Sequence, residues 1–295
     1  MANDDLIGIF DLETLEINRY RGRSVDPGWR RVFGGQVIAQ ALIAAAGTVD
    51  PARAVHSLHG YFLRPGDPGR AILYEVEPVR DGGNFSTRRV VADQDGDTLF
   101  AMMASFHVGE AGFEHQAVMP DMPAPEVLAD ARLLIAAAGD RIPLEARRPW
   151  ENPRPIEIRP VDPEAFLGRK GGQLSQAAWI RPRVPLGGGP LMAGAALAYA
   201  SDLLLLDTSL AAAGRWPFEK GLLVSSLDHA MWFHRSFDFA DWLLCVCDSP
   251  SACGGRGFNR GAIYDRAGRL IASLAQEGLI RHADPARTGA SERRV

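Results

Sequence analysis

The sequence predicts an α+β protein made of two copies of one unit, each an antiparallel sheet wrapped around a central apolar helix. Two alanine-rich helical stretches, at 34–47 and 190–206, are each followed by strand-like segments. Turn motifs recur at matching positions in the two halves. A helix followed by a run of strands is typical of α+β proteins, whereas a parallel sheet alternates strands and helices.

Composition narrows the class of protein. The chain has 295 residues, 46% hydrophobic and 23% charged, with a formal net charge of −4. These values are typical of a globular protein and give no electrostatic support for binding nucleic acid. No run approaches the roughly 20 apolar residues of a membrane span, and the acidic start does not resemble a signal peptide. Three clustered cysteines predict a reducing, cytoplasmic location.

The first half is predicted to run from an extended segment through a helix into four strands. We expect a strand or extended segment over 6–19 and a helix over 34–47, bounded by glycines. The motif Gln94–Asp97 is a hairpin signal between two strands. The four expected strands cover 54–63, 72–80, 85–93 and 98–108.

A proline-rich connection separates the halves and is expected to wrap the surface, with one helix over 124–138. The expected strands of the second half cover 156–159, 173–181, 222–233, 242–247, 258–265 and 270–280. The predicted domains are therefore an N-terminal unit over 1–112, a connecting segment over 113–155, a C-terminal unit over 156–281 and a disordered tail over 282–295.

The internal repeat aligns turns, strands and helices of the two halves. The matched segments are Gly82–Gly83 with Gly254–Gly255, Phe85–Arg88 with Gly257–Arg260, Gly96 with Gly268, and Gly35–Ala46 with Gly194–Leu205. This alignment places Ile43 against Asp202, and Ala104 against Gln276. Polar residues thus gather in the second half, which predicts a functional site built on one copy of a shared scaffold.

Asp202 is the most informative polar residue, because it lies at the end of a helix that is apolar on nearly every side. A buried carboxylate needs partners or becomes neutral, so Asp202 either reaches water at a helix end or is a functional group. Gln276 lies on an otherwise apolar strand, and a buried amide also needs partners. Ser226 has an ordinary alternative role, since serines often form local hydrogen bonds.

Five motifs fall in both halves of the chain: RVFGGQVIAQAL (Arg31–Leu42), HSLHGYFLRPGDP (His56–Pro68), SLDHAMWFHR (Ser226–Arg235), GGRGFNRG (Gly254–Gly261) and LIASLAQEGLIR (Leu270–Arg281). Together they resemble the acyl-CoA thioesterase II family, which has a double hotdog fold. The resemblance covers about 6–281 and implies hydrolysis of fatty acyl-CoA to free acid and coenzyme A. It also implies a catalytic site of Asp202, Ser226 and Gln276. Ser226 departs from the threonine of the relatives but keeps the hydroxyl.

The expected chemistry is attack of water on the thioester carbonyl. Asp202 would act as general base, with Ser226 and Gln276 orienting the water, and no covalent intermediate, cofactor or metal is required. Backbone N–H groups near a helix start are candidates to bind the oxyanion. Asp228 and His229 cannot form a dyad, because neighbours in a strand face opposite sides. We therefore expect them to support structure or an interface, and we leave Glu277 out of the site.

Other motifs favour no different chemistry. The chain lacks G-x-S-x-G and Walker A sequences, and neither His56 and His59 nor the cysteines have zinc-site spacing. Four arginines are candidates to contact the phosphates of coenzyme A, namely Arg88, Arg89, Arg256 and Arg260.

Two alternatives stay open, a hotdog enoyl-CoA hydratase and a non-catalytic acyl-CoA binding module. The hydratase alternative requires an Asp/His pair around a helix, and the helix of Asp202 contains no histidine. The expected partner is the acyl-CoA substrate. Sheet edges also predict a homodimer or larger homo-oligomer.

Overall fold

The computed structural model describes residues 6–25, 28, 31–151, 153–168, 171–216, 219 and 221–282, apart from the side chain of residue 145. The predicted disordered tail lies outside the described residues, except that the last strand continues to His282. No helix within these ranges is both long and apolar enough to cross a membrane.

The described residues of the first half form two helices and six strands. Their bounds are α1 (Leu6–Phe10), β1 (Glu13–Glu16), β2 (Arg19–Gly22), α2 (Gly34–Ala46), β3 (Ala54–Phe62), β4 (Ile72–Asp81), β5 (Phe85–Gln94) and β6 (Asp97–His107). The strands expected from residue 54 onward agree to within one residue. The extended segment expected over 6–19 is wrong at its start, because Leu6, Ile9 and Phe10 have helical spacing and bury their side chains in the core.

The connection is a chain of short helices instead of one long helix. It contains 3₁₀ turns at Pro125–Val127, Gly139–Arg141 and Arg148–Trp150, with α3 at Ala131–Ala138 and α4 at Leu144–Arg147. The helix expected over 124–138 is interrupted because Leu128 is extended, and Asp130 starts α3 by accepting a hydrogen bond from the backbone N–H of Arg132. The connection covers part of the second half, where Trp179 Nε1 donates to the Pro123 carbonyl oxygen over 2.8 Å.

Three helices and seven strands form within the described part of the second half. Their bounds are β7 (Ile156–Pro160), α5 (Pro163–Phe166), β8 (Ser175–Pro182), α6 (Gly189–Ser201), α7 (Asp207–Ala212), β9 (Leu222–Ser226), β10 (Asp228–Phe233), β11 (Leu243–Cys253), β12 (Arg256–Asp265) and β13 (Leu270–His282). Two expectations are corrected. The apolar helix ends at Ser201 and not at Leu206, and the strand expected over 222–233 breaks at Leu227.

One antiparallel sheet joins the two halves in the order β1-β2-β4-β5-β6-β3-β10-β13-β12-β11-β8-β7, and β9 pairs with β13. The halves meet where β3 pairs with β10, for example His59 opposite Ala230. Helices α2 and α6 pack against each other in the core. Gly35 permits this close contact, because a Cβ there would lie 2.3 Å from the Tyr199 carbonyl oxygen. The start of α2 therefore lies beside the end of α6.

The strand register sharpens the internal repeat. Arg88 lies opposite Ala104 on β5 and β6, and Asn259 lies opposite Gln276 on β12 and β13. Arg88 and Asn259 are both buried, so Asn259, and not Arg260, holds the position equivalent to Arg88. The pairing of Ala104 with Gln276 agrees with this register.

The helix bounds pair other residues of α2 and α6 than the sequence alignment does. Helices α2 and α6 have 13 residues each. Matching their ends therefore places Asp202 against Gly47, the residue that follows α2, and not against Ile43. The sequence alignment is displaced here by one helical turn.

Candidate active site

Asp202 is the first residue after α6, and its carboxylate accepts hydrogen bonds from residues far apart in the sequence. Gln276 Nε2 donates to Oδ1 over 2.7 Å, and Ser226 Oγ lies 3.4 Å from the same oxygen. The backbone N–H of Gly35 also donates to this carboxylate. The structure thus brings the three predicted site residues together around one oxygen atom.

Ser226 reaches Asp202 because the strand breaks just after it. Leu227 leaves the ladder, and its carbonyl oxygen accepts from the Phe62 N–H over 2.9 Å while its N–H donates to the Glu277 carbonyl oxygen over 2.9 Å. A continuous strand would place Ser226 and His229 on opposite faces. The break resets this alternation, so that both side chains reach the interior around Gln276.

The first half contributes the N-terminus of α2, which the repeat asymmetry did not predict. The residue before this helix, Phe33, provides no side-chain cap, so the first N–H groups are available to other acceptors. One of them, that of Gly35, donates to Asp202. A Cβ on Gly34 would lie 2.6 Å from Asp202 Oδ2, which shows how closely the carboxylate approaches the helix start. The site is therefore shared by both halves.

Gln276 is fully buried and joins Asp202 to His229. Its Nε2 donates to Asp202 Oδ1 and lies 3.3 Å from His229 Nδ1. His229 Nε2 lies 2.9 Å from Ser201 Oγ, which donates to the Ala198 carbonyl oxygen over 2.8 Å. These contacts form one consistent network if His229 carries its proton on Nε2 and Gln276 donates both amide protons.

His229 lies beside the site, although the sequence predicts that it supports structure or an interface. Asp228 and His229 do face opposite sides as expected, because Asp228 Oδ1 accepts from the Glu277 N–H over 2.6 Å while His229 is only 1% exposed. Burial lowers the pKa of His229 to about 4, so its ring is neutral at physiological pH. His229 orients Gln276 as a hydrogen-bond acceptor, and its strand position alone did not reveal this role.

Burial and hydrogen bonding shift the pKa of Asp202 in opposite directions. Burial raises its pKa to about 6, and the hydrogen bonds from Gln276, Ser226 and Gly35 act in the opposite direction. The carboxylate is thus ionised at neutral pH but basic enough to take a proton from water. Part of the residue's surface remains accessible.

A second carboxylate, Asp207, lies at the start of α7 and was not predicted as part of the site. Burial raises its pKa to about 7, the Arg154 guanidinium lowers it, and the charge of Asp202 raises it further. The connecting segment positions Arg154, whose guanidinium lies 4.3 Å from the centre of the Trp150 ring. No sequence pattern links Arg154 to Asp207, because they belong to separate segments.

A cavity of about 140 Å³ lies beneath the strands β8 and β11 and beside α5. Leu204, two residues after Asp202, is part of its wall. The other lining residues are Met122, Pro160, Val161, Asp162, Ala165, Phe166, Gln173, Ser175, Gln176, Ala177, Ala178, Cys245, Val246 and Cys247. An apolar cavity of about this size holds a group as large as benzene. It is suited to an apolar ligand group.

The four arginines considered for phosphate binding are all engaged within the chain. Their partners are Asp81 for Arg88, Glu77 for Arg89, Glu277 for Arg256 and Asp248 for Arg260. Arg88 is also buried and donates to Thr48 Oγ1 over 2.8 Å, so the phosphate hypothesis is wrong for this residue. Across the described parts of the chain, no group of three or more His, Cys, Asp or Glu residues is arranged to hold a metal ion.

Comparison with known proteins identifies the class to which this fold and site belong. Residues 129–280 match the family model of the acyl-CoA thioesterase C-terminal domain, and residues 25–107 match that of the acyl-CoA thioesterase N-terminal domain. The chain therefore belongs to the acyl-CoA thioesterase family.

Individual relatives match along nearly the whole chain. Acyl-CoA thioesterase 2 of Haemophilus influenzae is 39% identical, over 95% of this chain and 98% of that protein. The crystal structure of an acyl-CoA thioesterase II from Mycobacterium marinum is 40% identical, with a TM-score of 0.77 over 95% of this chain and 99% of that one. A hotdog-fold protein from Alicyclobacillus acidocaldarius has a TM-score of 0.77 at 20% identity, over 95% of this chain and 98% of that one. The predicted α+β double hotdog fold is confirmed.

Proposed function

We propose that this chain hydrolyses fatty acyl-CoA thioesters to free fatty acid and coenzyme A, with Asp202, Ser226 and Gln276 as its catalytic residues. The observation that carries the proposal is the convergence of Gln276, Ser226 and the start of α2 on the Asp202 carboxylate. Relatives named acyl-CoA thioesterase, about 40% identical over nearly the whole chain, support the reaction.

In the proposed mechanism Asp202 acts as a general base. Its Oδ1 accepts from Gln276 and faces Ser226, which leaves Oδ2, on the side of Gly34, to take a proton from water. The water oxygen attacks the thioester carbonyl carbon and transfers this proton to Oδ2. The C–S bond then breaks, and the proton passes to the departing thiolate.

The start of α2 is suited to stabilise the negative charge of the tetrahedral intermediate. The dipole of the helix favours anions at this position. The cavity next to Leu204 is suited to an apolar part of the acyl chain, because most of its lining is apolar. Both halves of the chain then take part in one reaction, although the three polar side chains come from the second half.

The test measures thiol release from short-, medium- and long-chain acyl-CoA substrates across a range of pH. We expect kcat to rise with pH and to level off above an apparent pKa of about 6, because only ionised Asp202 accepts the proton. A matched control is Asp228→Asn, which neutralises a nearby carboxylate outside the network and should leave this profile unchanged. Absence of thiol release from every substrate would contradict the proposal.

The structure disfavours the hydratase alternative. Both ring nitrogens of His229 are engaged, and its low pKa keeps it neutral, so it has no free atom for proton transfer to a substrate. Hydration of crotonyl-CoA without thiol release would nevertheless favour the hydratase. Tight acyl-CoA binding with neither reaction would favour the binding module.

We also propose that the chain forms a homodimer or larger homo-oligomer in the cytoplasm. Exposed aromatic residues on the paired strands β3 and β10 support an interface, since Tyr61 is 64% and Trp232 37% exposed. The three free cysteines fit a reducing compartment. Sedimentation of the purified protein measures the oligomeric state.

A further inference from the structure

Asn259 and Gln276 form an unusual buried pair beside the candidate site. They lie opposite each other on β12 and β13, and both are 0% exposed. Within the described chain, each has one polar atom without a hydrogen-bond partner, Nδ2 of Asn259 and Oε1 of Gln276. One atom is a donor and the other an acceptor, so each is the kind of hydrogen-bond partner that the other lacks.

We propose that Asn259 is a positioning residue that fixes the orientation of the Gln276 amide by donating from Nδ2 to Oε1. The two residues face each other across one rung of the sheet, and the terminal torsions of Asn and Gln are soft. Rotation about these torsions is the movement by which the donor would approach the acceptor. This inference rests on the proposed function, because it assigns to Asn259 the task of holding a catalytic residue.

The orientation of Asn259 is fixed from its other side. Ser209 Oγ donates to Asn259 Oδ1 over 2.5 Å and lies 3.0 Å from Ser249 Oγ. Ser249 in turn donates to the Phe258 carbonyl oxygen over 2.9 Å. Gly257 leaves room for this arrangement, since a Cβ there would lie 2.3 Å from Ser209 Oγ. With Oδ1 held by Ser209, Nδ2 is left to donate elsewhere.

The orientation of Gln276 matters because its two ends have opposite effects on Asp202. In the observed orientation Nε2 donates to Asp202 and approaches the neutral His229 ring. A half-turn of the amide would place Oε1 against the Asp202 carboxylate, where two acceptors repel each other. A donor to Oε1 prevents this rotation.

The equivalent rung of the first half, which the structure describes, does not carry this pair. This rung holds Arg88 opposite Ala104, and Arg88 is bonded to Thr48 and Asp81. A buried asparagine facing a buried glutamine therefore occurs in the half that carries the three candidate catalytic side chains, which associates Asn259 with the site.

Two substitutions test this role. Asn259→Leu removes the donor with little change in size, and Asn259→Asp keeps the acceptor for Ser209 while replacing the donor with a second acceptor. We expect each to lower kcat about tenfold or more, the equivalent of one hydrogen bond, with KM changed less than about twofold. The acid limb of the kcat profile should move to higher pH, because Asp202 loses a donor that lowers its pKa.

The control is Asn84→Asp, the same chemical change at an exposed asparagine, which should change neither kcat nor the pH profile. A purely structural role of Asn259 would reduce stability without moving the acid limb. Unchanged kcat and acid limb in both Asn259 variants, alongside an inactive Asp202→Asn, would overturn the inference and leave the proposed function standing. Absence of thiol release by the wild-type protein would instead overturn the proposed function.

A measurement on the unmodified protein covers the case in which the variants fail to fold. A crystal structure at atomic resolution should show Asn259 Nδ2 within about 3.2 Å of Gln276 Oε1. A longer separation, or a Gln276 amide with its oxygen toward Asp202, would overturn the inference whatever the activity of the protein.

Discussion

Asp202→Asn is expected to lower kcat for thioester hydrolysis by about a thousandfold while making the folded chain more stable at pH 8. Asparagine keeps an oxygen that accepts from Gln276 but has no basic atom to take a proton from water. General acid–base groups contribute roughly 10²- to 10⁴-fold to rates, and Asp202 is the base in the proposed mechanism. The measurement is steady-state thiol release by the two proteins at equal concentration of folded enzyme.

The stability gain follows from the sign of the pKa shift. The pKa of Asp202 is about 6 in the folded chain against a reference of 3.8, so the folded state binds this proton more tightly than the unfolded state. Ionisation of Asp202 therefore destabilises the fold increasingly from about pH 4 to pH 6, and the penalty then stays constant. A shift of this size corresponds to about 3 kcal/mol at most, and partial exposure reduces the expected gain to about 1–2 kcal/mol.

Chemical denaturation at two pH values checks this expectation. The free energy of unfolding of Asp202→Asn should exceed that of the wild type at pH 8, and the difference should disappear near pH 4. The charge of Asp202 also raises the pKa of Asp207. Removing that charge lowers the pKa of Asp207, which adds to the gain in stability at pH 8. A variant that is less stable at pH 8 would contradict this account of the buried charge.

Gly34→Ala is expected to lower kcat about a hundredfold with a smaller loss of stability than Gly35→Ala. The added Cβ would lie 2.6 Å from Asp202 Oδ2 and 2.8 Å from Phe62 Cζ, so the carboxylate has to move away from the helix start. Both contacts are with side-chain atoms and not with the backbone, so the structure can adjust here at a lower cost than at Gly35. A displacement of about 1 Å at a reacting group is enough to reduce the rate by roughly two orders of magnitude.

Gly35→Ala is the matched comparison for this experiment. Its Cβ would lie 2.3 Å from the Tyr199 backbone oxygen, which cannot move without separating α2 from α6. We expect this variant to lose about 1–3 kcal/mol of stability or more, as overpacked cores do. Equal activity of Gly34→Ala and the wild type would show that the position of Asp202 beside α2 is not needed for catalysis.

Local patterns predict most of the strands of this fold. The strands from residue 54 onward in the first half have alternating burial and clear turn signals, and their bounds agree to within one residue. The helix of Asp202 was predicted too long because the leucines after Ser201 continue its apolar character. Apolar composition does not show where the backbone leaves the helix, and residues 202–206 in fact form turns.

The sequence likewise predicts only part of the candidate site. Asp202 and Gln276 are conspicuous as polar residues in apolar surroundings, and the family resemblance adds Ser226. The contacts of Gly35 and His229 depend on the packing of α2 against α6 and on the strand break at Leu227. Such tertiary features have no local sequence signal.

A single turnover in water labelled with oxygen-18 tests directly whether Asp202 acts as a general base. Direct attack of water, with Asp202 as base, predicts that the fatty acid from the first turnover contains one labelled oxygen and that the peptide containing Asp202 contains none. If Asp202 attacked the carbonyl itself and expelled the thiolate, water would hydrolyse the acyl anhydride in a second step, and attack at the aspartyl carbonyl would leave the water oxygen in Asp202. Label in the Asp202 carboxylate and an unlabelled first product would contradict direct attack of water with Asp202 as base.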